Sequence, residues 1–214
     1  MEPGFQRART AEHKEQRAEA LLGAARELAS ANGVREVTLT AIANAAGVHV
    51  SGVRRYFESR EDIFLRLAAE GWADWVDAVA AELSGGRGLV DVVAETLGAR
   101  PLFCDLLGHV QVSFEREVTL ESVWDFKLKA VAQADRLARL CAQALSELDE
   151  QKARDLVSAI VALAGATWQT AHPSQILAGL YEADARLAHA AVEFVPKLRA
   201  LLLTFVAGLL APAD

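Results

Sequence analysis

The chain has 214 residues, a 52% hydrophobic composition and a formal net charge of −7, enough apolar material for a substantial core. Its longest apolar run, Ala200 to Ala211 with Thr204 inside it, falls short of the roughly 20 residues of a bilayer span, and no apolar h-region marks the N-terminus as a secretory signal. Cys104 and Cys141 lie far apart with no CxxC and no clustered histidines, so no zinc site, disulfide framework or cofactor is expected and the protein reads as cytoplasmic, with no membrane partner.

Three- and four-residue apolar spacing recurs throughout, and no segment alternates β-branched residues, so the chain reads as all-α, with about nine helices. Arg7, Arg9, Lys14 and Arg17 form a basic arm ahead of a first helix whose stripe is Ala18, Leu21, Leu22, Ala25 and Leu28 and whose end is Asn32-Gly33. Thr38 stands as the N-cap of a two-turn helix carrying Leu39, Ile42, Ala43 and Ala46. Gly47 tolerates positive φ and lets the chain reverse before a third short helix, about Val50 to Tyr56. Ser59 and Asp62 match the capping box of a long fourth helix reaching about Leu83. The stretch from Gly85 to Gly88 follows a helix rather than a strand, so it reads as a loop and not as a phosphate cradle. Pro101 opens another helix, and Thr119 caps one that extends to about Leu145. After Asp149, Leu156, Ile160, Leu163, Thr167 and Trp168 line a helix that stops near His172-Pro173. A looser segment containing Gly179 follows, then a last helix from about Pro196.

That last helix carries two apolar stripes, Leu198, Leu201, Leu202, Phe205 and Leu209 on one side and Leu203, Val206 and Leu210 on another. A helix apolar all round needs cover all round. Small residues Ala159, Ala162, Gly165 and Ala166 on the preceding long helix leave room for another backbone. The expectation is a homodimer built as a four-helix bundle, with Leu156, Ile160, Leu163, Leu202, Phe205, Val206 and Leu209 at its interface. The competing expectation is a core helix covered by residues 173–195.

Charge divides unevenly along the chain. Residues 1–62 hold nine Lys/Arg and nine Asp/Glu, so the whole net charge belongs to residues 63–214. A neutral module can still turn a cationic face toward a polyanion. A short helix, a glycine turn and a second short helix, braced by a longer one, is the arrangement whose second helix enters a DNA major groove.

From about Arg17 to Ile63 the chain resembles the DNA-binding domain of TetR-family transcriptional regulators. The residues that carry the resemblance are Gly33, Thr38, Ile42, Ala43, Ala46, Gly47, Val48, Phe57, Ser59, Arg60 and Ile63. It implies a three-helix helix-turn-helix domain at 1–62 and a larger helical effector-binding and dimerisation domain at 63–214. The departures fall where DNA is touched: His49, Ser51 and Arg54 replace the usual serine, glycine and tyrosine. The scaffold residues Ile42, Val48, Val53 and Phe57 stay apolar.

The resemblance implies contact with double-stranded DNA through Thr38, Thr40, Tyr56 and Arg60 at phosphates. Val50, Ser51 and Gly52 lie on the same short helix, where Gly52 costs about 1 kcal/mol relative to alanine and so points either to close approach of DNA backbone or to tolerance. Arg54 and Arg55 diverge by about 100° around the helix, so Val50 shares a face with Arg54 and Ser51 with Arg55. Arg54 is assigned to phosphate, Arg55 to a base edge or to solvent, and His49 to base, phosphate or an exposed loop. Arg7 and Arg9 either enter a minor groove or make no contact.

The larger domain, by the same resemblance, encloses a pocket for a small-molecule effector whose binding changes the spacing of the two heads. Trp72, Trp75, Phe103, Leu107, Val110, Phe114, Trp124, Phe126 and Trp168 are its candidate lining, with His109 and Glu115 as polar anchors, and they point to an apolar or aromatic effector. Cys104, His109 and Glu115 also lie close in sequence, but neither a strained nucleophile turn nor a metal-ligand spacing accompanies them, so an enzyme is not expected. A regulator answering to a protein partner, or to nothing, is the remaining alternative.

Overall fold

A computed structural model describes residues 3–110, 118–187 and 191–211, with side chains described from residue 13 onward. Every regular element among them is helical: α1 (Pro3–Asn32), a 3-10 turn (Val34–Glu36), α2 (Leu39–Ala45), α3 (Val50–Val53), α4 (Arg60–Ser84), α5 (Leu89–Gly98), α6 (Pro101–Val110), α7 (Leu120–Ala144), α8 (Glu150–Ala171), α9 (Gln175–Ala183) and α10 (Phe194–Leu210). None is long and apolar enough to cross a membrane among the described residues.

The helix starts follow side-chain chemistry. Ala41 N–H donates to Thr38 Oγ1 at 3.1 Å, Asp62 N–H to Ser59 Oγ at 3.1 Å, Ser122 N–H to Thr119 Oγ1 at 3.3 Å and Lys152 N–H to Asp149 Oδ1 at 2.8 Å. Each satisfies one of the four amides a helix leaves open at its start. The box at α4 closes differently from the standard pattern, since Asp62 Oδ2 accepts from Glu58 N–H at 3.2 Å. Gly33 at φ 84° and Gly47 at φ 67° take left-handed turns that a side chain would strain.

Four expectations change. The basic arm is not separate from the first helix, because α1 runs back to Pro3 as one rod and so includes Arg7, Arg9, Lys14 and Arg17. The third helix is a single turn, Val50–Val53, followed by turn residues 54–56. The segment around Gly179 contains the nine-residue α9, which has no buried residue. The fourth change concerns α10. Its main cover among the described residues comes from α5 and α8.

One continuous core runs from the head to the last helix. Leu21, Leu22, Val34, Ile42, Val53, Phe57 and Ile63 close the head, and α4 carries the packing on through Trp72, Trp75 and Val79. Leu156, Ile160, Leu202 and Val206 belong to this core. They pack with Leu89 and Val93 of α5 around a void of only about 10 Å³, and none is more than 9% exposed. Contrary to the interface expectation, these four are already removed from water inside the chain. The outer faces are instead Ala162 and Ala166 of α8, exposed, with Leu163 half-buried, and Leu203 and Leu210 of α10, 47% and 37% exposed. Phe205 and Leu209 are half-buried at the edge of that face.

Candidate DNA-reading surface and its attachment

Val53 and Phe57, both buried, fix α3 against α1 and α2, so the remaining residues of the short helix point away from the core. Thr38, Thr40, His49, Ser51, Arg54 and Arg55 are exposed, while Val50, Gly52 and Tyr56 are partly so. Thr38 Oγ1 accepts a backbone hydrogen bond as a cap, which leaves its O–H free to donate outward. His49 caps α3: Ser51 N–H donates to Nδ1 at 3.3 Å, and Ser51 Oγ lies 2.8 Å from the same nitrogen. Nothing lies within 4 Å of where a Cβ on Gly52 would stand, so no neighbour within the protein accounts for the missing side chain.

Arg54 and Arg55 make no hydrogen bond or ion pair with any described residue. Arg60 is differently placed. Its NH2 donates to Val34 O at 3.3 Å, its NH1 lies 3.4 Å from Glu61 Oε1, and its guanidinium sits 5.2 Å from the centroid of the Phe64 ring. With 25% of its side chain exposed, Arg60 is held in part by contacts within the chain. Tyr56 leans over a groove of about 330 Å³ against Lys14 and Ala18 of α1.

The interior aromatic residues expected to line a pocket separate into two groups. Trp72, Trp75 and Phe103 form a packed triangle with centroids 5.5 to 5.8 Å apart. Trp75 Nε1 donates to Thr96 Oγ1 at 3.1 Å, and that hydroxyl donates to Val92 O at 2.6 Å. Leu107, Val110 and Phe126 are buried nearby in the same core. Trp124 is not with them: it is 65% exposed on the outer face of α7 beside Leu120 and Leu128, because Phe126 two residues on takes the inward position. Trp168 belongs to a separate ring contact: it stacks on His172 at 3.7 Å and meets Phe194 edge-on at 5.1 Å. Phe114 and Glu115 lie outside the described residues. Cys104 is buried, donates to Leu97 O at 3.2 Å and has its thiol pushed up to about 12 by burial, the setting of an inert thiol.

A cleft of about 430 Å³ opens where the head meets the larger domain, between Arg26 and Ser30 of α1, Leu67 and Glu70 of α4, and Phe103 and Leu106 of α6. Beside it lies a residue that the sequence reading passed over. Asp105 Oδ2 accepts from Val34 N–H at 2.7 Å, its Oδ1 accepts from Gln169 Nε2 of α8 at 2.8 Å, and His109 Nε2 lies 3.5 Å from Oδ1. Partial burial acts to raise its pKa, but the hydrogen bonds from His109, Val34 and Gln169 outweigh that and hold the carboxyl below the usual carboxylate range. The sequence signal was there: Asp105 is the one acidic residue in the apolar helix PLFCDLLGHV.

Comparison with known proteins adds the lineage. The family model described as bacterial regulatory proteins, tetR family, matches residues 21–67, and the one described as tetracyclin repressor-like, C-terminal domain, matches residues 69–213. No curated protein matches the sequence. Among solved structures, a possible TetR family transcriptional regulator from Streptomyces coelicolor A3(2) is 17% identical with a TM-score of 0.57, over 92% of this chain and 98% of that one. FadR from Thermus thermophilus, a TetR family transcriptional repressor solved with lauroyl-CoA, is 22% identical at a TM-score of 0.53, over 92% and 98%. The fatty acid degradation regulator FadR from Bacillus halodurans is 15% identical at 0.56, over 90% and 95%. At these identities the likeness is one of fold.

Proposed function

The chain belongs to the TetR family of bacterial transcriptional regulators, and from that premise we propose that it is a cytoplasmic repressor that binds a palindromic operator as a homodimer and is released by a small apolar or aromatic effector. The observation that carries the DNA-binding reading is the outward face of the helix-turn-helix, where Arg54 and Arg55 have no partner among the described residues and stand with Thr38, Thr40, His49 and Ser51. Here Arg54 serves phosphate, Arg55 a guanine edge or phosphate, and the hydroxyls of Thr38 and Thr40 donate to the backbone. Gly52 gives the sugar-phosphate chain room to approach.

Dimerisation through the outer faces of α8 and α10 would set two heads at half-sites about 34 Å apart. The small residues Ala162 and Ala166 and the exposed Leu203 and Leu210 support that choice of face. An effector that prefers another head spacing draws the population away from DNA, and a hundredfold release needs about 2.7 kcal/mol of differential affinity. Residues of α4, α6 and α7 around the Trp72, Trp75 and Phe103 cluster are the proposed effector lining. The close packing of that triangle favours, as a second reading, a regulator that answers to a protein partner.

Footprinting on genomic fragments tests the proposal: protection of a two-fold symmetric site at moderate salt is expected, and no preference over random competitor would reject it. Thermal shift against an apolar library separates the two readings, since an effector at 100 times its dissociation constant adds about 2.7 kcal/mol.

A further inference from the structure

Val34, the first residue after the glycine that ends α1, is held at both ends of its peptide unit. Its N–H donates to Asp105 Oδ2 of α6, and its carbonyl accepts from Arg60 NH2 at the start of α4. Asp105 in turn holds α8 through Gln169. The joint is otherwise open on this side, because the cleft of about 430 Å³ parts α1 from Leu102, Phe103 and Leu106 of α6. Asp105 thus adds a direct hydrogen bond from the head to α6 beside the packing that joins them.

Those helices are themselves locked together. A Cβ on Gly165 would stand 3.0 Å from Gly108 N, so the backbones of α6 and α8 touch. A Cβ on Gly108 would stand 2.8 Å from Gln169 Nε2, so the amide reaches Asp105 only by lying over a bare glycine. Neither glycine is explained by a turn, as both are inside helices and cost helix stability there.

Resting on the reading of the protein as a dimeric DNA-binding regulator, we infer that Asp105 is a positioning residue that sets the orientation of the reading head on the α6–α8 pair. A displacement of those helices, by an effector or by the second subunit, reaches Val34 through the carboxylate and passes to α2 and α3 through the short turn that follows. A charged acceptor suits this task. It holds two donors at once with stronger bonds than a neutral amide makes, and its loss leaves the Val34 N–H partly buried without an acceptor.

The test uses the full chain with a spin label at exposed Glu27→Cys, since Cys104 and Cys141 are buried and stay unlabelled. Asp105→Asn keeps the shape but sets an amide N–H against either Gln169 Nε2 or Val34 N–H. The expected result is a broader head-to-head distance distribution, Val34 amide exchange about tenfold faster, and operator affinity lower by a similar factor. Asp105→Asn with Gln169→Glu restores all three, because the asparagine oxygen then accepts from Val34 while its N–H donates to the new carboxylate. Gly108→Ala, which improves helix propensity, broadens the distribution by displacing Gln169. An unchanged distribution and unchanged Val34 exchange in Asp105→Asn, or a double variant no better than the single one, overturns the assignment. A wild-type chain that is monomeric or ignores duplex DNA rejects the regulator reading instead, and Val34 exchange still decides the tie.

Discussion

The arginine pair after α3 and many arginines of the larger domain are placed in opposite ways. In the larger domain each of six arginines holds a carboxylate: Arg66 pairs with Glu70 at 3.2 Å, Arg87 with Glu82 at 2.9 Å, Arg100 with Asp74 at 2.6 Å, Arg154 with Glu150 at 3.0 Å, and Arg136 and Arg199 with Asp77 and Asp91. On the head, Arg54 and Arg55 hold none among the described residues. Net charge is thus a poor guide to what the molecule attracts. The −7 of the chain is spread over a domain in which many cations are neutralised locally, whereas Arg54 and Arg55 lie together, exposed, just after α3. The same contrast holds for tryptophan, with Trp75 at 0% exposure in the core and Trp124 at 65% on the outside of α7.

The sharpest way to break the contrast is at the tryptophans. Trp75→Ala removes a fully buried ring from the Trp72 and Phe103 cluster and is expected to cost about 3–5 kcal/mol in denaturant unfolding, whereas Trp124→Ala changes stability by less than about 0.5 kcal/mol. Similar losses at both sites would mean that α7 is covered on its outer face. Next comes the head. Arg54→Ala is expected to weaken operator binding about tenfold, uniformly across sequences, and to lower the slope of log K against log salt by about one; Arg60→Ala should chiefly destabilise the fold, with its salt slope unchanged. Fluorescence anisotropy across a salt series decides between them.

A smaller effect concerns acid. Because the folded-state pKa of Asp105 is depressed, its contribution to stability is fully present above the unfolded value near 4 and is lost as pH falls through the lower folded value. Asp105→Asn should therefore flatten the acid limb of a pH–stability curve and leave the neutral plateau lower. The least effect is expected from Arg136→Ala, whose ion pair with Asp77 is exposed and worth below about 1 kcal/mol, with operator binding untouched.

Much of this was legible along the chain. The caps at Thr38, Ser59 and Thr119 and the turns at Gly33 and Gly47 were readable because each acts over three or four residues. The exposed arginine pair was readable too, since Val53 and Phe57 leave α3 only one side to turn outward. Arg60 was not: its neighbours in sequence suggest an exposed helix start, and only the fold brings Val34 O, 26 residues earlier, within reach. The interface stripe also resisted reading. Both sides of α10 are apolar, and nothing in the residue order says which side α5 and α8 will cover.

The sequence by itself determined the helical class, most helix starts and the glycine turn before α3, because hydrogen bonding and apolar periodicity within a helix are local. Tertiary structure alone decided which leucines of α8 and α10 stay outside, and that Asp105 would meet a backbone amide 71 residues away. Those outcomes depend on how whole helices dock, a choice made by the summed burial of many side chains that no short stretch encodes.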